Sequence, residues 1–264
     1  MYKSIIFIDL DGTLIYEISP GRFYIPPELP QTLYRLKESY YLPVVCTARQ
    51  PKFVEKHLSA LFSTGIYYNG AFVQHQKTPI INIPLSPEEI YHTVNYWSKY
   101  GGSLIFQGNQ HGYCYNISEK HYRTLNDIYG ITDYIHPYYC MQQEPVYAID
   151  MFFEDSFQFY SCKAGIAFPY VLDYHQGDWT GSLSGINTSK GEAAMQLCQA
   201  LQIPPENCYA FGDSNNDLSL FEVVGYSIAV KNASQDLIKI ANDVTDHCKD
   251  NGVVNALTTL LNGG

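Results

Sequence analysis

Asp9-Leu10-Asp11-Gly12-Thr13 follows directly on the apolar run Ser4 to Ile8. Two carboxylates one residue apart, leaving what reads as a buried parallel strand, stand where open α/β sheets place their active sites. A solvated loop with an Asp-Gly turn would also fit the four residues by themselves. Thr13 and the apolar strand ahead of them favour chemistry. A second acidic strand end is Gly212-Asp213-Ser214-Asn215-Asn216-Asp217, again after a short apolar run and before a helix. Alone, Asp213 and Asp217 read as a helix cap and a first-turn carboxylate. Beside Asp9 and Asp11 they imply a crevice of like charges that repel unless a cation lies between them. Thr47-Ala48-Arg49 ends a third apolar run and offers a hydroxyl and backbone N–H groups where a phosphate oxygen could be held. Lys190-Gly191 opens a helix, where a cation opposes the helix dipole; an anionic ligand would give it a purpose, although most lone lysines are surface residues.

These groups need a scaffold that brings distant segments together. Ser4 to Ile8 and Leu42 to Cys46 read as fully buried strands, with an amphipathic helix over Pro30 to Ser39 between them. Ile66 to Tyr68 and Phe72 to Gln74 flank Asn69-Gly70, which predicts a hairpin with a tight turn. From about Pro84 to Ser182 the texture changes: 14 of the 24 tyrosines fall here, and the strands read as amphipathic. This middle stretch is expected to form an α+β module. Its elements are a helix over Pro87 to Tyr100 capped by Ser86, and strands at Leu104 to Gln107, Tyr147 to Phe153 and Tyr170 to His175. The buried α/β pattern then returns, with helices over Lys190 to Leu201, Asp217 to Val223 and Val253 to Leu261 and strands at Tyr209 to Phe211 and Ser227 to Val230. The expected organisation is an α/β core from 1–83 and 184–264, a Rossmann-like parallel sheet, with 84–183 inserted as an α+β cap.

Composition narrows the function classes. A formal net charge of -10, with basic residues never clustered, is the wrong field for a nucleic acid or an anionic membrane surface. A phosphorylated substrate would meet that field too, so a local cation becomes a requirement. No segment has the roughly 18 apolar residues of a membrane span, and the N-terminus lacks a signal-peptide pattern, so a cytoplasmic protein is expected. The seven cysteines (Cys46, Cys114, Cys140, Cys162, Cys198, Cys208 and Cys248) are odd in number and contain no C-x-x-C, which points to reduced, mostly buried thiols. A zinc hydrolase or a nucleotide-binding oxidoreductase finds no His/Cys cluster or G-x-G-x-x-G to support it.

The four signals, in this order, resemble motifs I to IV of the haloacid dehalogenase superfamily, and the placement of the middle module between motifs II and III resembles its Cof-type subgroup, mostly sugar-phosphate and related phosphatases. Asn69-Gly70-Ala71 matches a segment common in that subgroup. The resemblance implies a Mg2+-dependent phosphatase of small phosphorylated metabolites. Asp9 would be the covalent nucleophile and Asp11 the general acid and base. Metal would be held by the Asp9 carboxylate, the Asp11 carbonyl, Asp213 and waters, and phosphate by Thr47, Ala48, Lys190 and Asn216. Asp217 would orient Lys190 or an outer water, and Arg49 would be structural or face the cap. A phosphomutase with the same motifs and a non-catalytic relative are the alternatives, and a monomer or small homo-oligomer is expected. Two departures stand out. Ala48 replaces the usual motif II glycine, and Ser182 to Ser189 shows neither the acidic residue nor the simple strand expected at the return to the core.

Overall fold

The computed structural model describes residues 2–19, 21–58, 61–97, 101–118, 134–137, 144–165, 170–175, 180–185 and 188–263, with Lys99, Tyr122 and Leu125. Side chains of 163–179 are not among those described, and Tyr100, the expected end of a helix, lies outside the described residues. The chain divides into two compact units, one of Met1–Arg49, Val54–Asn82 and Thr188–Gly264, the other of Gln50–Phe53 and Ile83–Asn187.

The first unit is built on β1 (Ser4–Ile8), every residue of which is buried. Around it lie β4 (Tyr41–Cys46), β5 (Thr64–Tyr67), β6 (Phe72–His75), β7 (Thr78–Asn82), β14 (Tyr209–Gly212), β15 (Tyr226–Val230) and β16 (Asp243–Thr245). They form an eight-stranded sheet in the order β16-β15-β14-β1-β4-β5-β6-β7. From β16 to β5 all neighbours are parallel, while β5, β6 and β7 pair antiparallel. Strands buried along their length, such as β1 and β4, read as continuous apolar runs, which is why the sequence betrays them. The β5–β6 connection is looser than a two-residue turn. Tyr68, Asn69 and Gly70 form a 3-10 turn, all three with positive φ.

Helix α1 (Leu29–Glu38) buries Leu29, Thr32, Leu33 and Leu36, a three-to-four-residue spacing that gives one apolar stripe. Helix α5 (Lys190–Leu201) starts at Ser189, whose hydroxyl accepts from the Glu192 N–H at 3.1 Å. Gly191 is required there by space: a Cβ would lie 2.1 Å from the Ser219 carbonyl oxygen, so only glycine lets this helix start approach α6 (Leu218–Phe221). The segment after β1 carries a small antiparallel hairpin not anticipated from the sequence, β2 (Tyr16–Ser19) and β3 (Arg22–Tyr24). Its mostly exposed strands lack the apolar alternation that would reveal them.

The second unit holds α3 (Pro87–Trp97), β8 (Ser103–Gln107), β9 (Gly112–Tyr115), β10 (Ile135–Pro137), β11 (Ala148–Phe152), α4 (Ser156–Gly165), β12 (Tyr170–His175) and β13 (Thr180–Gly185). The strands make a six-stranded sheet ordered β10-β9-β8-β11-β13-β12, antiparallel except for β9–β10. Ser86 caps α3 through a reciprocal pair: its hydroxyl accepts from Glu89 N–H at 3.1 Å, and its own N–H donates to Glu89 Oε2 at 2.6 Å. Leu104, Phe106, Ile149, Met151 and Leu183 join Trp97, Phe153 and Phe159 in one core, with Phe153 in edge contact with both other rings. Two readings need correction. β8 is buried throughout rather than amphipathic, because its second face carries Ser103, Ile105 and Gln107, all shielded. Thr180–Gly185, which overlaps the start of the Ser182 to Ser189 stretch judged to lack a simple strand, is a strand: its small residues Gly181, Ser182 and Ser184 hide the pattern, and pairing to β11 and β12 imposes it.

Candidate active site

The sheet register explains how segments two hundred residues apart meet. Ile8 pairs with Phe211 on one side and Val45 on the other, so Asp9, Asp213 and Thr47 emerge from adjacent parallel strands at the same end. The Asp9 N–H donates to the Phe211 carbonyl at 3.0 Å, continuing the ladder up to the first carboxylate. This is the carboxyl end of the sheet.

Lys190 is fully buried and lies between two acids. Its Nζ donates to Asp9 Oδ1 at 2.6 Å and to Asp217 Oδ1 at 2.7 Å. The other Asp217 oxygen accepts the backbone N–H groups of Asp213 (3.1 Å) and Ser214 (3.2 Å), so this buried carboxylate anchors both the lysine and the turn. Thr13 Oγ1 donates to Asp213 Oδ1 at 2.9 Å. Gly12, at φ +79°, is needed twice over: the conformation favours glycine, and a Cβ would come 2.6 Å from Asp213 Oδ2. Asn216, expected to face phosphate, is held by Asn69, to whose Oδ1 it donates at 3.1 Å, and by Ser214, whose hydroxyl donates to Asn216 Oδ1 at 2.6 Å. Thr47 is buried and its Oγ1 accepts the Arg49 N–H at 3.0 Å, while Ala48 is exposed.

Asp11 is two residues from Asp9 but in a different setting. Arg49 grips it with a fork, Nε to Oδ2 and Nη2 to Oδ1, both at 2.9 Å. Asn232 was not singled out from the sequence, yet it stitches the site: its Nδ2 donates to the Gly12 carbonyl at 2.7 Å and its Oδ1 accepts from Cys248 N–H at 2.9 Å. An asparagine after an ordinary strand carries no signal of that role.

Burial pushes the Asp9 carboxyl well above its ordinary range; Lys190 opposes this, and Asp217 and Asp213 add to it. Asp213 is raised to about 6, chiefly by burial, with the Thr13 hydroxyl opposing and Asp217 reinforcing. For Lys190, burial disfavours the charge, but Asp217 and Asp9 outweigh it and the ammonium titrates above the usual lysine range. One oxygen from each of Asp9, Asp213 and Asp217 lies within 4.8 Å of the others. Three carboxylates against one ammonium leave an excess of negative charge, and the donors are hard oxygens. That set fits a small divalent cation such as magnesium. Asp217, with both oxygens already bonded, is the least available of the three to such an ion.

The chain is similar to known proteins in sequence and in fold. Over 98% of both chains, the protein is 26% identical to "Putative phosphatase YkrA" of Bacillus subtilis (strain 168). Its fold is similar to that of a haloacid dehalogenase-like hydrolase from Bacteroides thetaiotaomicron, with a TM-score of 0.83 at 19% identity over 98% of this chain and 100% of the other. It is likewise similar to the subclass IIB sugar phosphatase BT4131, with a TM-score of 0.79 at 18% identity over 97% and 98%. The family profile described as haloacid dehalogenase-like hydrolase matches residues 6–257, so the chain belongs to the haloacid dehalogenase-like hydrolases, as its four motifs implied.

Proposed function

We propose that the protein is a magnesium-dependent phosphatase of small phosphorylated metabolites, sugar phosphates or similar compounds, working through an aspartyl-phosphate on Asp9. The observation that carries this reading is the buried Lys190 bonded to Asp9 at the end of the sheet where the neighbouring strand also presents Asp213. A lysine wholly removed from water and aimed at a carboxylate is expensive unless it serves a charge that comes and goes. The full-length likeness to proteins named as phosphatases supports the choice of phosphoryl chemistry.

Asp9 attacks phosphorus as the bond to the leaving oxygen breaks, and Asp11 delivers a proton to that oxygen. Asp11 then takes a proton from water as the water oxygen attacks the aspartyl phosphate, releasing inorganic phosphate and restoring Asp9. Lys190, Thr47, the backbone at Ala48 and Asn216 hold the phosphoryl oxygens. Asp217 fixes Lys190 in place. When bound by the Asp9 carboxylate, the Asp11 carbonyl and Asp213, magnesium would supply the positive charge that the acidic cluster lacks. The segment 84–183 would act as a cap that selects substrates. A hydrolysis screen over phosphorylated metabolites, in magnesium and in chelator, tests the reading: metal-dependent phosphate release from sugar phosphates supports it, and metal-independent release or none at all overturns it.

A further inference from the structure

We propose that Arg49 is the positioning residue of Asp11, and that the hairpin β2–β3 is part of the same device. The inference rests on the reading of Asp11 as the group that exchanges a proton with the leaving oxygen. Asp11 needs such a device: its side chain is 43% exposed, against 7% for Asp9, so packing does not fix its rotamer. The fork does. Two parallel N–H···O bonds of 2.9 Å set both the direction and the plane of the carboxylate, which a single contact would not do.

Among the described residues, Arg49 is itself restrained by the end of β4 and by the hairpin. Its backbone N–H is bonded to Thr47 Oγ1, which ties it to the end of β4. Its guanidinium carbon lies 5.3 Å from the centre of the Phe23 ring, on the face of the hairpin residue. Asp11 is tied to the hairpin's base as well, through a parallel bridge to Ile15. The Asp11 turn, the end of β4 and the hairpin therefore meet around this ion pair. Both Asp11 oxygens accept from Arg49, so proton exchange requires one bond of the fork to open while the other holds. A lysine ammonium, a point charge with no fixed plane, would not set the plane of the carboxylate between such openings. None of these contacts touches Lys190, Asp217 or the Asp213 turn, which are bonded among themselves.

The test compares phenyl phosphate, whose leaving group needs a proton, with p-nitrophenyl phosphate, whose leaving group scarcely does. It reads single-turnover release of the phenol in saturating magnesium. Arg49→Ala should slow phenyl phosphate about ten- to a hundredfold, the scale of a misplaced catalytic group, and p-nitrophenyl phosphate by less than about threefold. Half-saturating substrate concentrations should stay put, and Arg49→Lys should recover only part of the loss. Asp11→Asn should show the same leaving-group bias more strongly, and adding Arg49→Ala to it should cost nothing further. Equal slowing of both substrates, weakened substrate binding, or additive losses in the double variant would overturn the assignment and make Arg49 a phosphate-binding or purely structural residue. If Asp11→Asn itself lacks the bias, the reading of Asp11 falls and the inference with it. If Asp11→Asn has the bias and Arg49→Ala lacks it, only the positioning role falls.

Discussion

The two compact units bury polar groups in opposite ways. In the first, Asp9, Lys190 and Asp217 are charged, shielded from water and bonded to one another. Among the described residues of the second, the deeply buried polar side chains are neutral, such as Ser103, Gln107 and Ser184, and the Gln107 Oε1 and Trp97 Nε1 atoms have no hydrogen-bond partner there. Its pairing of Glu144 with His111 lies nearer the surface, with the histidine side chain 46% exposed. Buried ion clusters are poor devices for stability alone, because apolar groups of the same shape do as well or better. Their concentration in one unit marks where the molecule accepts an energetic penalty for chemistry. The other unit follows the usual rule of an aromatic and aliphatic core under an antiparallel sheet, Trp97, Phe153 and Phe159 being its centre.

The largest expected effect is at Asp9. Asp9→Asn keeps the shape and loses the nucleophile, so turnover should fall at least about a thousandfold, as for other groups that form the covalent intermediate. Circular dichroism should show the fold intact. Near-normal turnover in this variant would end the covalent reading and, with it, the contrast between the units.

Next is Lys190. Lys190→Met fills similar volume but leaves Asp9 and Asp217 facing each other without a cation. Breaking a buried pair in this way costs about 3–5 kcal/mol. Urea denaturation in chelator should show a loss of that order, and orthovanadate inhibition should weaken. A change below about 1 kcal/mol with unchanged inhibition would return Lys190 to a dispensable buried residue.

The third effect is a pH dependence with an unusual sign. Asp213 titrates near 6 in the folded chain, mainly because it is buried, against about 3.9 for an unfolded aspartate. Between those values the folded state holds the extra proton, so stability should rise as pH falls from 7 towards 5. Asp9, also raised, acts in the same direction. The Lys190 shift leaves this window untouched, since its stabilisation is present throughout and is lost only at high pH. In chelator, thermal unfolding should therefore have a higher midpoint at pH 5 than at pH 7. Magnesium should close that gap by stabilising the ionised cluster at neutral pH. Asp213→Asn should flatten the trend in chelator and raise the magnesium needed for half-maximal activity. A midpoint in chelator that climbs towards pH 7 would contradict the raised carboxyls.

Much of this was legible in the residues, and the illegible parts have identifiable causes. β1 coincides with Ser4 to Ile8, and α5 with Lys190 to Leu201, because a buried strand and a helix with an apolar stripe carry strong local patterns. Asp9, Asp213 and Lys190 were recognisable from strand-end and helix-start positions. Their meeting could be inferred only from the shared strand-end pattern and the family resemblance, since the contact itself depends on β1 pairing with β14 two hundred residues later. The grip of Arg49 on Asp11 was hidden for the same reason: two side chains on neighbouring strand ends share no sequence signal. The hairpin β2–β3 and strand β13 escaped because exposure in one and small residues in the other erase alternation.

The smallest effect belongs to the second unit and probes the contrast from its quiet side. Ser86 caps α3 by a reciprocal bond with Glu89, a neutral hydroxyl answering helix N–H groups that would otherwise lack a partner. Ser86→Ala removes one acceptor from an exposed helix start, where water can substitute, and such changes cost about 1 kcal/mol. The helix should survive, because Thr93 and Trp97 remain buried along it and Trp97 stays packed on Phe153. Differential urea denaturation should find a loss near that size, with the magnesium requirement and the rate on p-nitrophenyl phosphate unchanged. A loss above about 3 kcal/mol would mean that this cap organises the whole aromatic core. A shifted magnesium requirement would mean that polar contacts in the second unit reach the acidic cluster of the first, and the separation of chemistry from ordinary packing would fail.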